Sequence, residues 1–237
     1  METDENIPKH IAVIPDGNRR WALQRGITLL KGYSIGVQKI VDISLWAKEY
    51  GVKMLTIWAL STDNIKKRSR MELSLLYTLY TRAANDPKIL RTLEKNRVRV
   101  KVIGSVARLP ARLRAALANL ESLTRDYSDF CINLLIGYGG REDMVEACRR
   151  AYEDGRRSDS AKRIDKRFIE RYMKSSQVPD ADLIIRTSGE MRLSGLLPWQ
   201  ATYAELYFES KRWPEFEKAD LKMAIDTFSN RKRRFGT

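Results

Sequence analysis

Residues suited to phosphate chemistry follow a short apolar run near the beginning of the chain. The run, residues 11–14, is followed by Pro15, Asp16 and Gly17, and then by the arginine pair Arg19 and Arg20. An acid at the end of a strand, before a turn and a helix N-terminus, is typical of phosphate sites in α/β proteins. A hairpin turn at Asp-Gly is the alternative. No second alternating strand follows, so the pattern favours a phosphate site.

Two further polar clusters are predicted at the carboxyl ends of strands. One is Ser61–Asn64, and the other combines Arg186 with Arg192 and Ser194. Ligands of open parallel sheets gather at this edge, arginine forks match phosphate oxygens, and a carboxylate beside phosphates is typical of Mg²⁺ sites. The residue types therefore predict magnesium-assisted phosphate or diphosphate chemistry. An ordinary helix N-cap is the alternative for Asp63 and Asn64.

Glu205 is a second candidate acid. It lies inside the apolar run Tyr203–Phe208. A buried carboxylate without a partner costs several kcal/mol, so this position indicates either a charged partner or a metal.

Several site classes are excluded by what the sequence lacks. His10 is the only histidine, so an imidazole-based triad or a His-rich metal site is not expected. Neither a P-loop nor a Gly-x-Gly-x-x-Gly motif occurs. The two cysteines, Cys131 and Cys148, are too few for a disulfide framework, and their apolar surroundings predict buried thiols in a reducing compartment.

Apolar patterning predicts strands and helices that alternate along the 237 residues. This order favours an α/β fold, a single domain over residues 1–237 with about six mostly parallel strands flanked by helices. The predicted strands are 11–14, 53–60, 97–104, 130–138, 182–187 and 205–208, and the main predicted helices are 34–50, 71–85, 110–125, 141–152 and 219–234. Helix 141–152 is predicted to turn Met144, Val145 and Cys148 inward.

The formal charge of +14 indicates an anionic partner: nucleic acid, an anionic membrane surface or a phosphorylated substrate. A nucleic-acid-binding protein is therefore an alternative, although the basic residues are dispersed and no helix-turn-helix, RRM or zinc motif is present. The N-terminus is polar and acidic, and no apolar run approaches the roughly 18 residues that span a bilayer. These features predict a cytoplasmic protein.

Taken together, the motifs resemble those of the cis-prenyltransferases, the undecaprenyl or polyprenyl diphosphate synthase group, over nearly the whole chain. The matching stretches are His10–Trp21, Leu60–Asn64, Asn133–Arg141, Asp182–Ser194, Trp199–Phe208, Trp213–Phe216 and Arg231–Gly236. The resemblance implies an enzyme that extends an allylic diphosphate with isopentenyl diphosphate, each new double bond being cis.

The resemblance also implies roles for individual residues. Asp16 would bind Mg²⁺ on a substrate diphosphate, with Glu205 as the second metal-associated acid, and Asn64 would take part in proton removal. The allylic diphosphate would be held by Gly17, Asn18, Arg19 and Arg20, with Trp21 beside them. Ser61, Thr62, Asp63 and Arg68 would flank the reacting carbons, and Arg186, Arg192, Leu193 and Ser194 would bind isopentenyl diphosphate.

A homodimer is implied as well, because Arg234–Gly236 match a tail that reaches across the interface in this family. The helix from Met71 to Ala84, apolar on more than one side, would line a hydrophobic tunnel for the growing chain. The lipid product makes peripheral membrane contact a further expectation. A non-catalytic subunit of a prenyltransferase pair is an alternative, against which the complete set of candidate site residues argues.

Two positions depart from the family pattern near the allylic diphosphate. Leu29 stands where an arginine is common, and Tyr33 where a histidine is common. We therefore expect a specialised member, with an unusual choice of donor or acceptor or a less usual condensation geometry.

Overall fold

Six strands form one sheet in the part of the chain that the computed structural model describes, residues 6–157 and 165–231. They are β1 (His10–Ile14), β2 (Met54–Ser61), β3 (Val98–Ile103), β4 (Phe130–Tyr138), β5 (Leu183–Arg186) and β6 (Glu205–Phe208). Their order across the sheet is β3-β4-β2-β1-β5-β6, and every neighbouring pair is parallel. The predicted α/β fold, with its six mostly parallel strands, is confirmed.

Helices cover both faces of this sheet. They are α1 (Asn18–Gln24), α2 (Leu29–Glu49), α3 (Thr62–Lys67), α4 (Arg70–Ala84), α5 (Pro87–Lys95), α6 (Ala111–Thr124), α7 (Gly140–Arg157), α8 (Lys166–Glu170) and α9 (Lys218–Ser229). Among the described residues, no helix combines the length and the apolar character needed to cross a bilayer.

Strand β1 shows that the sheet is covered on both faces. Ile11 and Val13 pack into the larger hydrophobic cluster, whereas Ala12 and Ile14 pack into the smaller cluster on the opposite face. Successive side chains of a strand point to opposite faces, so an uninterrupted apolar run indicates a strand that is buried on both faces of the sheet.

Helix boundaries follow local capping. The side chain of Thr28 accepts a hydrogen bond from the backbone N–H of Lys31, so α2 begins at Leu29, five residues before its predicted start at Ser34. Asp86 and Pro87 separate α4 from α5, as their sequence predicts, with Asp86 as the N-cap of α5.

The prediction for α7 is wrong about its inward face. Asp143, Ala147 and Ala151 are buried, whereas Val145 and Cys148 are exposed. The error arises because the inward row begins with an aspartate: both Asp143 carboxylate oxygens accept hydrogen bonds from the segment 174–175. The expectation of two buried thiols is wrong too, since Cys131 is only half-buried.

The last predicted helix is shorter in the structure. Helix α9 ends at Ser229, and Asn230 is its C-cap. Asn230 and Arg231 are not helical, whereas residues 232–234 of the predicted helix and the Arg234–Gly236 tail lie outside the described residues.

His10, the first residue of β1, connects this strand to the segment 179–180 and to β2. Its Nδ1 lies 3.1 Å from the carbonyl oxygens of both Pro179 and Asp180, so Nδ1 carries the proton. Its Nε2 accepts a hydrogen bond of 2.8 Å from the hydroxyl of Thr56, which in turn accepts one of 3.0 Å from Asn133 Nδ2. Burial lowers the pKa of His10 below its ordinary value of 6.5.

This network predicts that the stability of the protein depends on pH through one residue, His10. The unfolded chain takes up a proton at His10 near pH 6.5, whereas the folded chain does so only at lower pH. The free energy of unfolding should therefore be level above this pH and fall below it, by at most about 1.4 kcal/mol per pH unit. Urea unfolding at pH 7.5, 6.5 and 5.5 measures the change. His10→Gln should remove it, and an equal decline in that variant would contradict the assignment.

Candidate active site

A large cleft opens at the carboxyl ends of β1, β2, β4 and β5. Its volume is about 1090 Å³. The polar residues that line it come from four strand ends: Asp16 and Asn18; Ser61, Thr62, Asp63 and Asn64; Arg141 and Glu142; and Arg186 with Ser194. All of the second expected cluster lines the cleft, together with part of the first and third, and a fourth cluster that follows β4 is added. The members of the first and third clusters that do not line it are Gly17, Arg19, Arg20 and Arg192.

Arg186 is the centre of this arrangement. It is the last residue of β5, and its side chain is only 5% exposed. Its Nη2 donates to Asp16 Oδ2 at 2.9 Å, and its Nη1 donates to Ser194 Oγ at 2.8 Å and to the carbonyl oxygen of Arg192 at 2.5 Å. Its Nε is buried without a hydrogen-bond partner among the described residues. An unpaired buried donor beside a cleft suits an anionic ligand.

A turn that requires glycine holds Asp16 at the end of β1. Gly17 has a φ of 96°, in the left-handed region, and its N–H donates to Asp16 Oδ1 at 2.7 Å. A Cβ at this position would lie 2.8 Å from Ser188 Oγ and 2.9 Å from the Cβ of Arg212. Glycine is therefore required here both by the backbone angle and by the lack of space.

Asn18 contributes an amide to the same wall of the cleft. Its Nδ2 donates to the carbonyl oxygen of Pro15 at 2.9 Å, which fixes the side chain. Its Oδ1 is buried and accepts no hydrogen bond within the described part of the chain. This oxygen is an acceptor, so only a hydrogen-bond donor or a cation matches it, and it offers no hydrogen to a diphosphate.

Glu190 pairs with both Arg20 and Arg192, for which the family resemblance implies different substrates. Its carboxylate accepts from Arg20 Nη1 at 3.1 Å and from Arg192 Nη1 at 2.5 Å. The hydrogen bond from Arg192 is the largest cause that lowers the pKa of Glu190. Sequence reasoning missed this residue, although its position between Arg186 and Arg192 in the loop after β5 was a signal.

The segment that follows β2 is organised by a capping box. Ser61 Oγ accepts from the N–H of Asn64 at 2.9 Å, and Asn64 Oδ1 lies 3.4 Å from the N–H of Ser61. Ser61 is thus the N-cap of α3, in place of Asp63 or Asn64. Asp63 is exposed and pairs with Lys67 at 2.7 Å.

Behind this segment, a buried glutamate holds three side chains together. Glu72 is 8% exposed; it accepts from Tyr33 Oη at 2.5 Å and lies 3.5 Å from Arg68 Nε and 4.0 Å from Arg19 Nη1. The guanidinium of Arg68 also lies over the Tyr33 ring. Burial is the main cause that raises the pKa of Tyr33 well above its ordinary value, so its hydroxyl stays a donor. Sequence reasoning missed Glu72, because only the folded helix turns it inward.

Other predicted site residues lie outside the cleft. Trp21 is buried, with the guanidinium of Arg25 4.9 Å from its ring centre, and it does not line the cleft. Leu193 packs against the smaller hydrophobic cluster. Arg19 and Arg20 do not line the cleft either; Arg19 lies 4.0 Å from Glu72, and Arg20 Nη2 lies 3.5 Å from Asp16 Oδ1.

Glu205 is not brought near Asp16 within one chain. It begins β6 in register with Leu183, which itself pairs with Ile11 near the start of β1. Asp16 lies past the other end of β1. The carboxylate of Glu205 instead pairs with Arg231 at 2.5 Å, so the acid has a charged partner and needs no metal. Glu205 as the second metal-associated acid therefore stays a prediction, and within one chain it does not share the site of Asp16.

Asp16 remains as a candidate ligand for magnesium. The described residues contain no group of three or more acidic, histidine or cysteine side chains suited to a metal. Each carboxylate of the cleft pairs with a cation: Asp63, Glu142 and Glu146 with a lysine or arginine of the same or a neighbouring helix, and Asp16 with Arg186 and Arg20. Asp16 differs from the other three in its place at the end of β1, beside the buried guanidinium. Mg²⁺ commonly takes one or two carboxylates and completes its shell with phosphate oxygens and water. Asp16 fits that kind of site.

The chain is similar to prenyltransferases in sequence. The family model described as undecaprenyl diphosphate synthase matches residues 14–236. A tritrans,polycis-undecaprenyl-diphosphate synthase (geranylgeranyl-diphosphate specific) from Picrophilus torridus is 39% identical over 231 residues, 97% of this chain and 90% of that protein. An isoprenyl transferase from Thermotoga maritima is 37% identical over 230 residues, 97% of each chain.

Solved structures agree with the sequence comparisons. Lavandulyl diphosphate synthase from Lavandula x intermedia, in complex with dimethylallyl diphosphate, superposes with a TM-score of 0.93 at 35% identity, covering 99% of this chain and 100% of that one. A probable undecaprenyl diphosphate synthase from Campylobacter jejuni gives a TM-score of 0.79 at 31% identity, covering 98% of this chain and 100% of that one.

The turn at Gly17 generates a stability prediction. Gly17→Ala should lower the free energy of unfolding by about 1–3 kcal/mol, because the left-handed backbone is strained for alanine and its Cβ meets close neighbours. Gly155→Ala is the matched control: it lies within α7, where a Cβ meets nothing within 4 Å, and should be neutral or stabilising by about 0.5–1 kcal/mol. Denaturant unfolding compares the two. Equal stability of Gly17→Ala and the unmodified chain would show that the turn relaxes.

Proposed function

This chain belongs to the undecaprenyl diphosphate synthase family of prenyltransferases, and we propose that it joins isopentenyl diphosphate to an allylic prenyl diphosphate with formation of a cis double bond. The observation that carries the proposal is the placement of Asp16 against buried Arg186 at the edge of a cleft of about 1090 Å³. The alternatives of a nucleic-acid-binding protein and a non-catalytic subunit have no comparable site to support them.

In the proposed reaction, the C–O bond of the allylic diphosphate breaks and the double bond of isopentenyl diphosphate forms a new C–C bond. A proton is then lost from the joined product, and inorganic diphosphate leaves. Positive charge develops on the allylic carbon and negative charge on the departing oxygen, so preorganised cations beside that oxygen stabilise the transition state.

The residues of the chain divide between the two substrates. We assign the allylic diphosphate to the Gly17–Arg20 turn and to Arg68, which Glu72 orients. We assign isopentenyl diphosphate to Arg186, Arg192 and Ser194, which hydrogen bonds already join. Asn64 lines the cleft near the predicted reacting carbons. The proton acceptor would be the released diphosphate or the region of Asp16 and Asn64.

Asp16 is the residue we propose to hold Mg²⁺. Magnesium bound there would neutralise part of the diphosphate charge and make the diphosphate a better leaving group. The carboxylate is fixed for that task by Arg186 and by the N–H of Gly17.

Three further features are proposals that rest on the family. We propose a homodimer, a cytoplasmic location and peripheral contact with membranes through the lipid product. The C-terminal tail expected at the dimer interface lies outside the described residues.

The allylic donor is expected to be short. The names of the relatives differ in the prenyl diphosphate that they print: one protein is described as geranylgeranyl-diphosphate specific, and another is in complex with dimethylallyl diphosphate. Here Tyr33, bound to Glu72, occupies the position where a histidine is common. Incubation with labelled isopentenyl diphosphate and a series of donors from five to twenty carbons should show preference for the short donors. Ordinary long-chain elongation from farnesyl diphosphate would contradict a specialised donor choice.

Asp16→Asn tests the reaction itself. The substitution keeps the shape and removes the charge, so magnesium-dependent product formation should fall at least about hundredfold. Asp126→Asn, at an exposed aspartate, is the matched control and should retain full activity. Thermal unfolding verifies that both variants are folded. Persistent activity of folded Asp16→Asn would remove Asp16 from the metal site.

A further inference from the structure

Helix α4 separates the cleft from a second groove on the outside of the protein. Leu76 and Tyr80, on one side of the helix, line the cleft. The other side and α6 line a groove of about 510 Å³, whose apolar floor is formed by Leu73, Tyr77 and Leu113. No lining residue of this groove also lines the cleft, so the groove is a surface feature distinct from the candidate active site.

Three exposed arginines line the same groove: Arg70 and Arg82 of α4, and Arg112 of α6. None of them forms an ion pair with another residue that the structure describes. Arg70 and Arg82 lie near the two ends of α4, about 18 Å apart along its axis. This spacing fits separate phosphates presented by one surface better than it fits a single ligand.

The basic character continues over the neighbouring helices. Helices α4, α5 and α6 cover the same face of the sheet, because each packs its apolar side into the larger hydrophobic cluster. Their outer sides therefore form one surface. The exposed cations of this surface that form no ion pair within residues 6–157 and 165–231 are Arg70, Arg82, Lys88, Arg91, Lys95 and Arg112.

Acids do not balance this surface. On α4, α5 and α6, Glu72 is buried, and Glu121 accepts a hydrogen bond of 2.7 Å from the backbone of β3. Glu94 is exposed. On α9, by contrast, Lys218 and Lys222 each pair with a carboxylate. The charge of the outer surface is therefore left for an anion from outside the chain.

Met71 gives this surface an apolar contact as well. It follows Arg70 at the beginning of α4 and is 84% exposed. Basic side chains around an exposed apolar one are typical of surfaces that bind anionic headgroups and enter the lipid interface. A nucleic acid would match the charge, but the apolar floor and the methionine suit acyl chains and not phosphates.

We infer that the outer surface of α4, α5 and α6, including the groove, docks on a bilayer that contains anionic phospholipids. Arg70, Arg82 and Arg112 contact separate headgroup phosphates, and Met71 enters the interfacial region. Helix α4 then lies between the bilayer and the cleft. The inference rests on the proposed function, whose lipid product is the reason for membrane contact, and it names the surface that makes this contact.

Neutralising the groove tests the inference. The triple variant Arg70→Gln, Arg82→Gln, Arg112→Gln changes exposed side chains and should fold, which thermal unfolding verifies. Its co-sedimentation with vesicles of phosphatidylcholine and about one third phosphatidylglycerol should fall at least about tenfold, because each basic residue near an anionic surface strengthens binding by roughly fivefold. Vesicles of phosphatidylcholine alone should bind neither protein. If this variant does not fold, Lys88→Gln, Arg91→Gln, Lys95→Gln on α5 tests the same surface.

A second triple variant, Lys166→Gln, Arg167→Gln, Arg171→Gln, is the matched control. It removes the same number of exposed charges from α8 and its C-cap. The chain after α8 packs through Val178 into the smaller hydrophobic cluster, on the opposite face of the sheet. Vesicle binding by this control should stay within about twofold of the unmodified protein.

The outcomes separate the inference from the proposed function. Equal vesicle binding by the groove variant and the control overturns the inference. A short DNA duplex that binds the unmodified protein but not the groove variant, without vesicle binding by either, assigns the surface to nucleic acid and also overturns it. Prenyl transfer in detergent solution should be equal in the groove variant and the unmodified protein. Absence of any prenyl product from the unmodified protein contradicts the proposed function, whatever the vesicles show.

Discussion

The contact between Asp16 and Arg186 sets the position of the other groups in the cleft. A guanidinium with a 5% exposed side chain is costly to bury unless its charge is matched, and at Arg186 all this matching falls to the two Nη groups, because Nε has no partner among the described residues. Asp16 supplies the charge, while Ser194 and the carbonyl oxygen of Arg192 supply further acceptors. One ion pair therefore fixes both the turn after β1 and the loop after β5. The parallel register that places Ile14 opposite Arg186 is what makes the contact possible.

Carboxylates organise the positive charge of the site. The chain carries an excess of fourteen cations, yet four arginines at or beside the cleft are held by two acids: Arg19 and Arg68 by Glu72, and Arg20 and Arg192 by Glu190. Such pairs reduce the side-chain freedom that a diphosphate would otherwise have to remove on binding. The positions of these arginines beside the cleft thus depend on two acids more than on the large net charge.

The sequence predicts those parts of the structure that depend on local pattern. The strand at 130–138 has the predicted bounds, and the polar strand ends meet because parallel strands end at a common edge. Contacts that depend on the exact register of neighbouring strands cannot be predicted from local pattern. Glu205 lies in an apolar run that suggests a metal, but its distance from Asp16 follows from how β5 and β6 pair.

Side chains whose direction is set by neighbouring elements are equally hard to predict. Glu72 reads as an ordinary exposed residue of a helix, and its inward direction appears only once α2 and α4 pack together. The Tyr80 hydroxyl donates a hydrogen bond to the carbonyl oxygen of Ala59, which lies at a bulge in β2. No residue type in that strand predicts a bulge. The inward face of α7 is misread for the same reason, because its first member is an aspartate.

Because Glu190 bonds Arg20 and Arg192 at once, the two arginines are not independent. An anion that draws one of them away leaves the glutamate with a single partner, and the field at the other arginine changes. Thermodynamic linkage makes such an effect reciprocal: whatever the first ligand does to the affinity for the second, the second does equally to the first. If Arg20 and Arg192 hold the two substrates as we propose, this one shared carboxylate couples their binding without any movement of the sheet.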